Sequence, residues 1–464
     1  MRTWTIRAIL VVGAVLLLSA CHENGTVFVV HSAADAPDDN PGDGICHATP
    51  HGCTLRAAVM EANSLPGVEL ISVNVGIPTS LTLAGTDEDN DAVGDLDIFE
   101  GVVIENLQVS LSAHSVDRVF DLHHSSGLVE IRDSWVLTGT ASDGAAIRHQ
   151  GAGNFSLLGS NVVPYPGATG SLLETGAGAG VTYIFESGID GYDEGVDGID
   201  HNGGSLRLRN ALINRTVIAI DADSTVTARA STLADNAVGF VGDGQFETSV
   251  FDNTLDCGAG TRTSNGDNLE TSTSCGFSSA GDLQNTDPRL VFFGTGDAGA
   301  VLAPAVLSAA TDHIAPASGV CTGTGGVDRI GDPRPYGVGC DIGAFEPRPD
   351  AGCVPPRTTT SARFCSLPGE DLSGQSFLWF LLDGGDFTGA DFSGSVLAGA
   401  SLHAATLAGA DLSLTDLTAT ELRDADLTGA DLTGATLTST VWDNTTCPSG
   451  VNSDTNGGNC DGQL

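Results

Sequence analysis

The sequence predicts an all-β protein made of two solenoids in series, closed at its start by one short helix. Three observations carry this prediction. Every fifth residue from Leu372 to Trp442 is Leu, Phe or Trp. Short apolar strands recur about every 20–26 residues in the middle of the chain, and Cys53–Asn63 has helical spacing. The 464 residues include 61 Gly but only 4 Trp, 4 Tyr and 2 Met, which suits many small, similar layers better than one large core. Acidic residues outnumber basic ones 59 to 18, every basic residue is Arg, and the formal charge of −41 opposes any nucleic-acid partner.

The first 20 residues read as an export signal. Arg2 and Arg7 flank the start of an apolar stretch, Ala8–Leu18, that is too short for a stable bilayer span. It ends Leu18-Ser19-Ala20-Cys21, which resembles a bacterial lipobox. The resemblance implies that residues 1–20 are removed, that Cys21 carries the lipid, and that 21–26 form a tether. His22 after the cysteine then directs the lipoprotein to the outer membrane, facing the periplasm or the cell surface; an ordinary signal peptide is the alternative. Export gives the other ten cysteines meaning. They fall as close neighbours, Cys46/Cys53, Cys257/Cys275, Cys321/Cys340, Cys353/Cys365 and Cys447/Cys460, and structural disulfides in that order are expected ahead of metal ligation or free thiols.

In CTLRAAVMEAN, Leu55, Ala58, Val59 and Ala62 fall at i, i+3, i+4 and i+7 after a candidate N-cap at Thr54. A β-helix ends in an exposed apolar layer and an unpaired strand edge, so this helix reads as a lid. Further on, LRLRNALINRTVIAI from Leu206 aligns with VTARASTLADNAVGF from Val226 and FETSVFDN from Phe246. Leu206, Val226 and Phe246 are therefore expected to stack, as are Leu208, Ala228 and Thr248. VEIRDSWVL (Val129–Leu137) and FSLLGSNVV (Phe155–Val163) repeat at a longer interval. Turns of uneven length predict a parallel β-helix, whereas a sandwich would show evenly spaced hairpin turns.

Residues 27–63 resemble the CSLREA domain, a cap module of secreted bacterial β-helix proteins, with Cys53-Thr54-Leu55-Arg56-Ala57-Ala58 at the naming hexapeptide. GDLDI (Gly94–Ile98) and DRVFDL (Asp117–Leu122) are typical companions. DLQNTDPRL (Asp282–Leu290) and DPRPYGVGCDIGAFE (Asp332–Glu346) resemble the terminal region of choice-of-anchor Q proteins. These resemblances imply a right-handed parallel β-helix of pectin-lyase-like fold, with the cap and first coils at 27–100 and the helix over 101–346. The period-five segment, typified by GADLTGATL, resembles pentapeptide-repeat proteins. That implies a smaller quadrilateral β-helix over 369–444, followed by a disulfide-closed cap at 445–464. The Pro-rich segment 347–368 between them reads as a linker.

Candidate site residues are few. Arg207 and Arg209 share a strand face by their i, i+2 spacing, and Arg229 lies one 20-residue period beyond Arg209. Such a stripe can hold an acidic sugar or simply pair with neighbouring acids. Asp87, Asp89 and Asp91 alternate in TDEDNDAVGD with Asp95 beyond, as in a calcium loop, but the loop's Gly and final Glu are missing. They offer either a calcium site, the one cofactor the sequence suggests, or a solvated turn, and NSDTNG (Asn452–Gly457) poses the same choice. The fold resemblance raises carbohydrate chemistry, in which a carboxylate cluster holds Ca²⁺ beside an Arg or Lys base. No spacing visible in the sequence lines several Asp beside one Arg, so no catalytic residue is assigned. The expectation is a lipid-anchored surface protein with a structural, adhesive or ligand-binding role, contacting polysaccharide or a neighbouring surface. The alternatives are a polysaccharide lyase or glycoside hydrolase acting on acidic glycans, and a partner-binding acidic pentapeptide rod.

Overall fold

The computed structural model describes residues 25–460 except 75–78, 84–92, 112–117, 139–145, 193, 297–298, 306–307, 316–320, 322–327, 329–333, 335–339, 347–363 and 378–379. Short strands of alternating burial close into a parallel helix with three faces. Face 1 begins with Val68–Val73, Gly101–Glu105 and Leu128–Arg132; face 2 with Thr79–Leu81, Gln108–Leu111 and Trp135–Leu137; face 3 with Leu96–Ile98, Phe120–Leu122 and Ile147–His149. Two long strands, Ile218–Arg229 and Val238–Glu247, bend from face 3 into face 1, which joins those faces into one 16-stranded sheet and leaves face 2 as a 9-stranded sheet. The coils shorten along the stack. Val68 pairs with Gly101 and Val102 with Val129, steps of 33 and 27 residues, while Leu206 pairs with Val226 and Val226 with Gly244, steps of 20 and 18.

The corner between faces 1 and 2 is built the same way in successive coils. The first corner residue is left-handed: Asn106, Asp133, Gly159, Glu186, Asn210, Ala230, Thr248 and Asp267 have φ between 48 and 59°. The next residue is usually a serine that bonds the neighbouring coil. Ser134 Oγ accepts from Leu107 N, Ser160 Oγ from Ser134 N, and Ser187 Oγ from Ser160 N, each at 3.1 Å. Ser249 Oγ continues the ladder, accepting from Ser231 N at 3.4 Å. Each serine satisfies a backbone N–H that would otherwise be buried without a partner, a loss of about 1–3 kcal/mol.

Leu206 stacks on Val226 and Leu208 on Ala228, but Phe246 lies on Ala228, not on Val226. The cause is a slip at the bend: Ala222 pairs with Gly242 and Val226 with Gly244, so the later coil is two residues shorter there. Gly244 sits beneath aromatic rings, and a Cβ would fall 2.6 Å from the Phe246 ring and 2.9 Å from that of Phe240.

Strand β1 (Val27–Val30) pairs with Val68–Val73, and helix α1 (Leu55–Ser64) covers the open end. Leu55, Ala58, Val59 and Ala62 are all buried, and Thr54 Oγ1 caps the helix by accepting from Ala57 N at 3.1 Å. Two buried charges tie the lid down. Arg56 pairs with Asp35 at 2.6 Å and donates to the carbonyls of Gly94 (2.7 Å) and Asp95 (3.1 Å). Glu61 accepts from the backbone N–H groups of Gly42 and Gly44. At the far end Glu270 accepts from Cys275 N and Phe277 N, placing Phe277 against Phe246 and Phe251.

Among the described residues the last parallel pairing of the first helix is the Leu269–Leu283 bridge, before residue 346. The chain then forms an antiparallel hairpin, Leu290–Gly296 with Gly299–Pro304. Ile314, Cys340 and Ile342 pack on Ala230, Val250 and Leu269, on the outer side of face 2. In the second solenoid, parallel bridges recur every five residues from Ser366–Asp386 to Asp426–Thr446, each joining residues 20 apart, one coil of four five-residue edges. The stack starts at Ser366, inside the segment read as linker. Leu372 to Leu432 fill its axis at the period-five positions, and Thr415, Thr420 and Thr445 take small inward positions by donating to the carbonyls of Phe392, Leu397 and Leu422.

The two solenoids dock side by side. Leu212 and Ala234 of face 2, Val291, Leu302, Ala303 and Ala305 of the hairpin region, and Phe364 and Ala404 of the second solenoid share one core. Arg289 crosses the junction, donating to Thr406 Oγ1 at 2.9 Å and to the Ala404 carbonyl.

A buried polar column runs inside the first solenoid. His149 Nδ1 lies 2.8 Å from Thr182 Oγ1, and Thr175 Oγ1 lies 2.6 Å from His201 Nδ1. Burial pushes the pKa of His149 and of His201 down to about 4.

Two outcomes are expected. Replacing Leu55 and Val59 together with Asp should give aggregated or misfolded protein on size-exclusion chromatography, and unchanged monomeric elution would refute the lid. Because the folded state holds His149 and His201 neutral while the unfolded chain protonates them near 6.5, the urea midpoint should fall as pH drops from about 6.5 to about 4. His201→Gln should flatten that fall.

Candidate functional site

Arg207, Arg209 and Arg229 all project outward from face 1, and Arg209 lies in register beside Arg229. Each is engaged. Arg209 pairs with Glu186 at 3.4 Å and lies 4.7 Å over the Phe185 ring; Arg229 pairs with Glu247 at 3.2 Å. Arg207 lies 5.8 Å over the Tyr183 ring. Burial raises the pKa of Glu186, with Arg209 opposing the shift. The stripe is thus an aromatic and guanidinium surface threaded with acids.

Cys21, Asp87, Asp89, Asp91 and Cys353 lie outside the described residues. Asp95 is buried and pairs with Arg118 at 3.4 Å. In NSDTNG, the Asn452 side chain accepts from Asp454 N, and Asp454 Oδ1 accepts from Asn444 N, so these groups brace the C-terminal turn. Disulfides join Cys46 to Cys53, Cys257 to Cys275, Cys321 to Cys340 and Cys447 to Cys460, and Cys365 is also oxidised.

Face 3 carries what the sequence spacing concealed. Asp97, Asp121, Arg148, Glu174, Asp200 and Asp221 stand in register on consecutive coils, an outward ladder of carboxylates with one guanidinium inside it. The expectation that no Arg is lined up among stacked acids is therefore corrected. Strand order hid the ladder because the loops between faces 2 and 3 differ in length from coil to coil. Asp97 and Asp121 are each 2 % exposed, and Asp121 is held by Arg118 at 3.2 Å and by Arg148. His123 Nε2 lies 3.2 Å from Asp97 and 3.5 Å from Asp121, whose carboxylates push its pKa up to about 10. Phe99 stacks on the imidazole with ring centroids 5.2 Å apart, fixing its plane.

A second concave feature lies where the solenoids meet. A cavity of about 600 Å³ is lined by Asp235, Asp252, Arg289, His403, Arg423 and Asp424, among others. His403 Nε2 and Asp424 lie 3.0 Å apart, and Asn444 Nδ2 donates to Asp424 at 2.6 Å. Burial, then Asp287, Asp235, Asp256 and Asp424, push the pKa of Asp252 up to about 7, whereas bonds from His403 and Asn444 hold Asp424 below its ordinary value against burial. The folded state keeps a proton on Asp252 that the unfolded chain releases near 3.8, so stability falls as pH rises from about 4 to about 7. Asp252→Asn should therefore melt at a higher temperature than the parent at pH 8, with the gap closing toward pH 4; a gap that is equal at both pH values would contradict this.

The pentapeptide-repeat family pattern matches residues 386–420 and 400–439, with 8 copies. A pentapeptide repeat protein from the Arabidopsis thaliana thylakoid lumen is 32 % identical over 19 % of this chain, with a TM-score of 0.14, and the match spans 63 % of that protein's length. HetL, a pentapeptide repeat protein involved in heterocyst differentiation regulation from the cyanobacterium Nostoc sp. strain PCC 7120, is 15 % identical over 71 % of this chain and 92 % of its own, with a TM-score of 0.12. No curated protein sequence matches the chain. The C-terminal stack is a pentapeptide-repeat β-solenoid, docked against a three-faced parallel β-helix.

Proposed function

We propose that the chain is an exported lipoprotein, held in the outer membrane through Cys21, that serves as a rigid adhesive surface. In this reading residues 27–63 act as a CSLREA-type cap and residues 282–346 as a choice-of-anchor Q-type terminal region. The observation that carries it is the docking of the solenoids. A shared apolar core and the Arg289 clamp make two capped stacks into one body that keeps its exposed faces in fixed relation. Such a body offers rows of identical spacing, about 4.8 Å from strand to strand, to an extended ligand. Face 1, with Arg207, Arg209 and Arg229 beside Tyr183 and Phe185, suits a glycan bearing acidic groups, since arginine binds carboxylates in bidentate fashion and aromatic faces pack on sugar rings.

A second reading is favoured by the face 3 ladder. Carboxylates flanking Arg148 could act on an acidic glycan as a lyase or hydrolase, and that activity would depend on Arg148 and leave face 1 indifferent.

The two readings separate in one set of variants. Changing Arg207, Arg209 and Arg229 together to Glu should weaken binding to immobilised acidic polysaccharide by roughly tenfold or more, and Cys21→Ser should release unlipidated protein from membranes. Retained binding by the triple variant would sink the adhesive face. Release of shortened or unsaturated sugar, abolished in Arg148→Ala, would establish the enzyme instead.

A further inference from the structure

We propose that Asp97, Asp121 and His123 form a binding site for a first-row divalent metal ion, with zinc as the reference ion. One donor atom from each residue lies within 4.8 Å of the others. His123 Nε2 stands 3.2 Å from Asp97 Oδ1 and 3.5 Å from Asp121 Oδ2. Ligands bonded at about 2.0–2.2 Å around a tetrahedral ion lie about 3.3–3.6 Å from each other, so the donors are already spaced as neighbours in a coordination shell.

The strands explain the spacing. Asp97 and Asp121 face outward in register on adjacent coils, and His123 follows Asp121 by two residues, so all three project from the same side of face 3. The backbone N–H of His123 donates to the Ile98 carbonyl at 2.8 Å, and Phe99 stacks on the ring, which fixes the imidazole before any ion arrives.

An independent observation points to a missing cation. Asp121 is 2 % exposed, and its two oxygens are treated differently. Oδ2 is held by Arg118 and Arg148, while Oδ1 is buried with no hydrogen-bond partner. A buried, unsatisfied carboxylate oxygen is costly unless something positive meets it. Arg118 and Arg148 hold Oδ2, the oxygen that faces His123, as outer-shell partners of a carboxylate ligand, and the unmet Oδ1 leaves that buried carboxylate short of positive charge. His123 Nε2 points at both carboxylates, 3.2 Å from Asp97 and 3.5 Å from Asp121, the place where an ion would replace the imidazole's proton. An imidazole among the ligands favours zinc, iron, nickel or copper over calcium, which takes oxygen donors. Three protein ligands leave at least one coordination position open, next to Arg148 and the rest of the ladder.

The test is a titration of the EDTA-treated full chain with Zn²⁺ by calorimetry and with Co²⁺ by visible absorption. One ion per chain is expected, with a cobalt ligand-field band of low-coordinate type. His123→Gln should weaken both at least tenfold, as should Asp121→Asn, while Asp200→Asn, farther along the same ladder, should bind as the parent does. Circular dichroism of His123→Gln, matched to the parent, guards against simple misfolding. Absence of binding by the parent, or binding unchanged in His123→Gln, overturns the proposal and leaves His123 as an imidazolium bridging two carboxylates.

Discussion

The corner between faces 1 and 2 governs the first solenoid. At that corner one residue turns left-handed, and the next side chain bonds the adjoining coil. Few non-glycine residues take such a conformation willingly, and Thr248, which is β-branched, least of all. The conformation is tolerated because it is repeated, and because the serine ladder gives the buried N–H groups partners. The lengths of faces 1 and 2 are consequently held nearly constant. From the second coil through Val250–Asp252, the variation in coil length falls in the two other corners, and the longest loops lie between faces 2 and 3.

That division places function. Face 2 is regular and apolar enough on its outer side to receive the hairpin and the second solenoid, so it becomes an interface. Face 1 is regular but stays exposed, and its charges settle into pairs with aromatic partners. Face 3 borders the variable loops, and there carboxylates, two arginines and a histidine gather in a largely buried cluster. Coil-to-coil register puts like charges side by side, and burial raises their mutual cost, which only counter-charges can offset. Arg118, Arg148 and His123 meet that need at one end of the ladder.

The second solenoid shows the same economy with a different unit. Its outward aspartates, such as Asp391, Asp411 and Asp431, each accept from the backbone N–H two residues on, at 2.8–2.9 Å. These acids are turn formers first, and their contribution to an acidic surface follows from that local role. At the junction, Gly384 leaves room for Phe364: a Cβ there would come within 2.8 Å of the ring.

Local and strictly periodic features were determined by the sequence alone. The amphipathic lid with its Thr54 cap, the period-five axis from Leu372 onward, and the stacking of Leu206 on Val226 all depend on spacing within a short window or on a constant repeat. The recurring serine after Asp133, Gly159, Glu186, Ala230 and Thr248 was also there to be read, as a residue pair closing successive strands. Tertiary structure decided whatever crosses an irregular loop. Asp97 meets Asp121, Phe246 meets Ala228, and Asp252 faces Asp424 only because loop lengths, a two-residue slip and a side-by-side docking bring them together. The physical reason is that hydrophobic periodicity reports which way a side chain points, inward or outward. Which outward side chain stands beside which is set by how much chain each corner consumes, and no local pattern records that length.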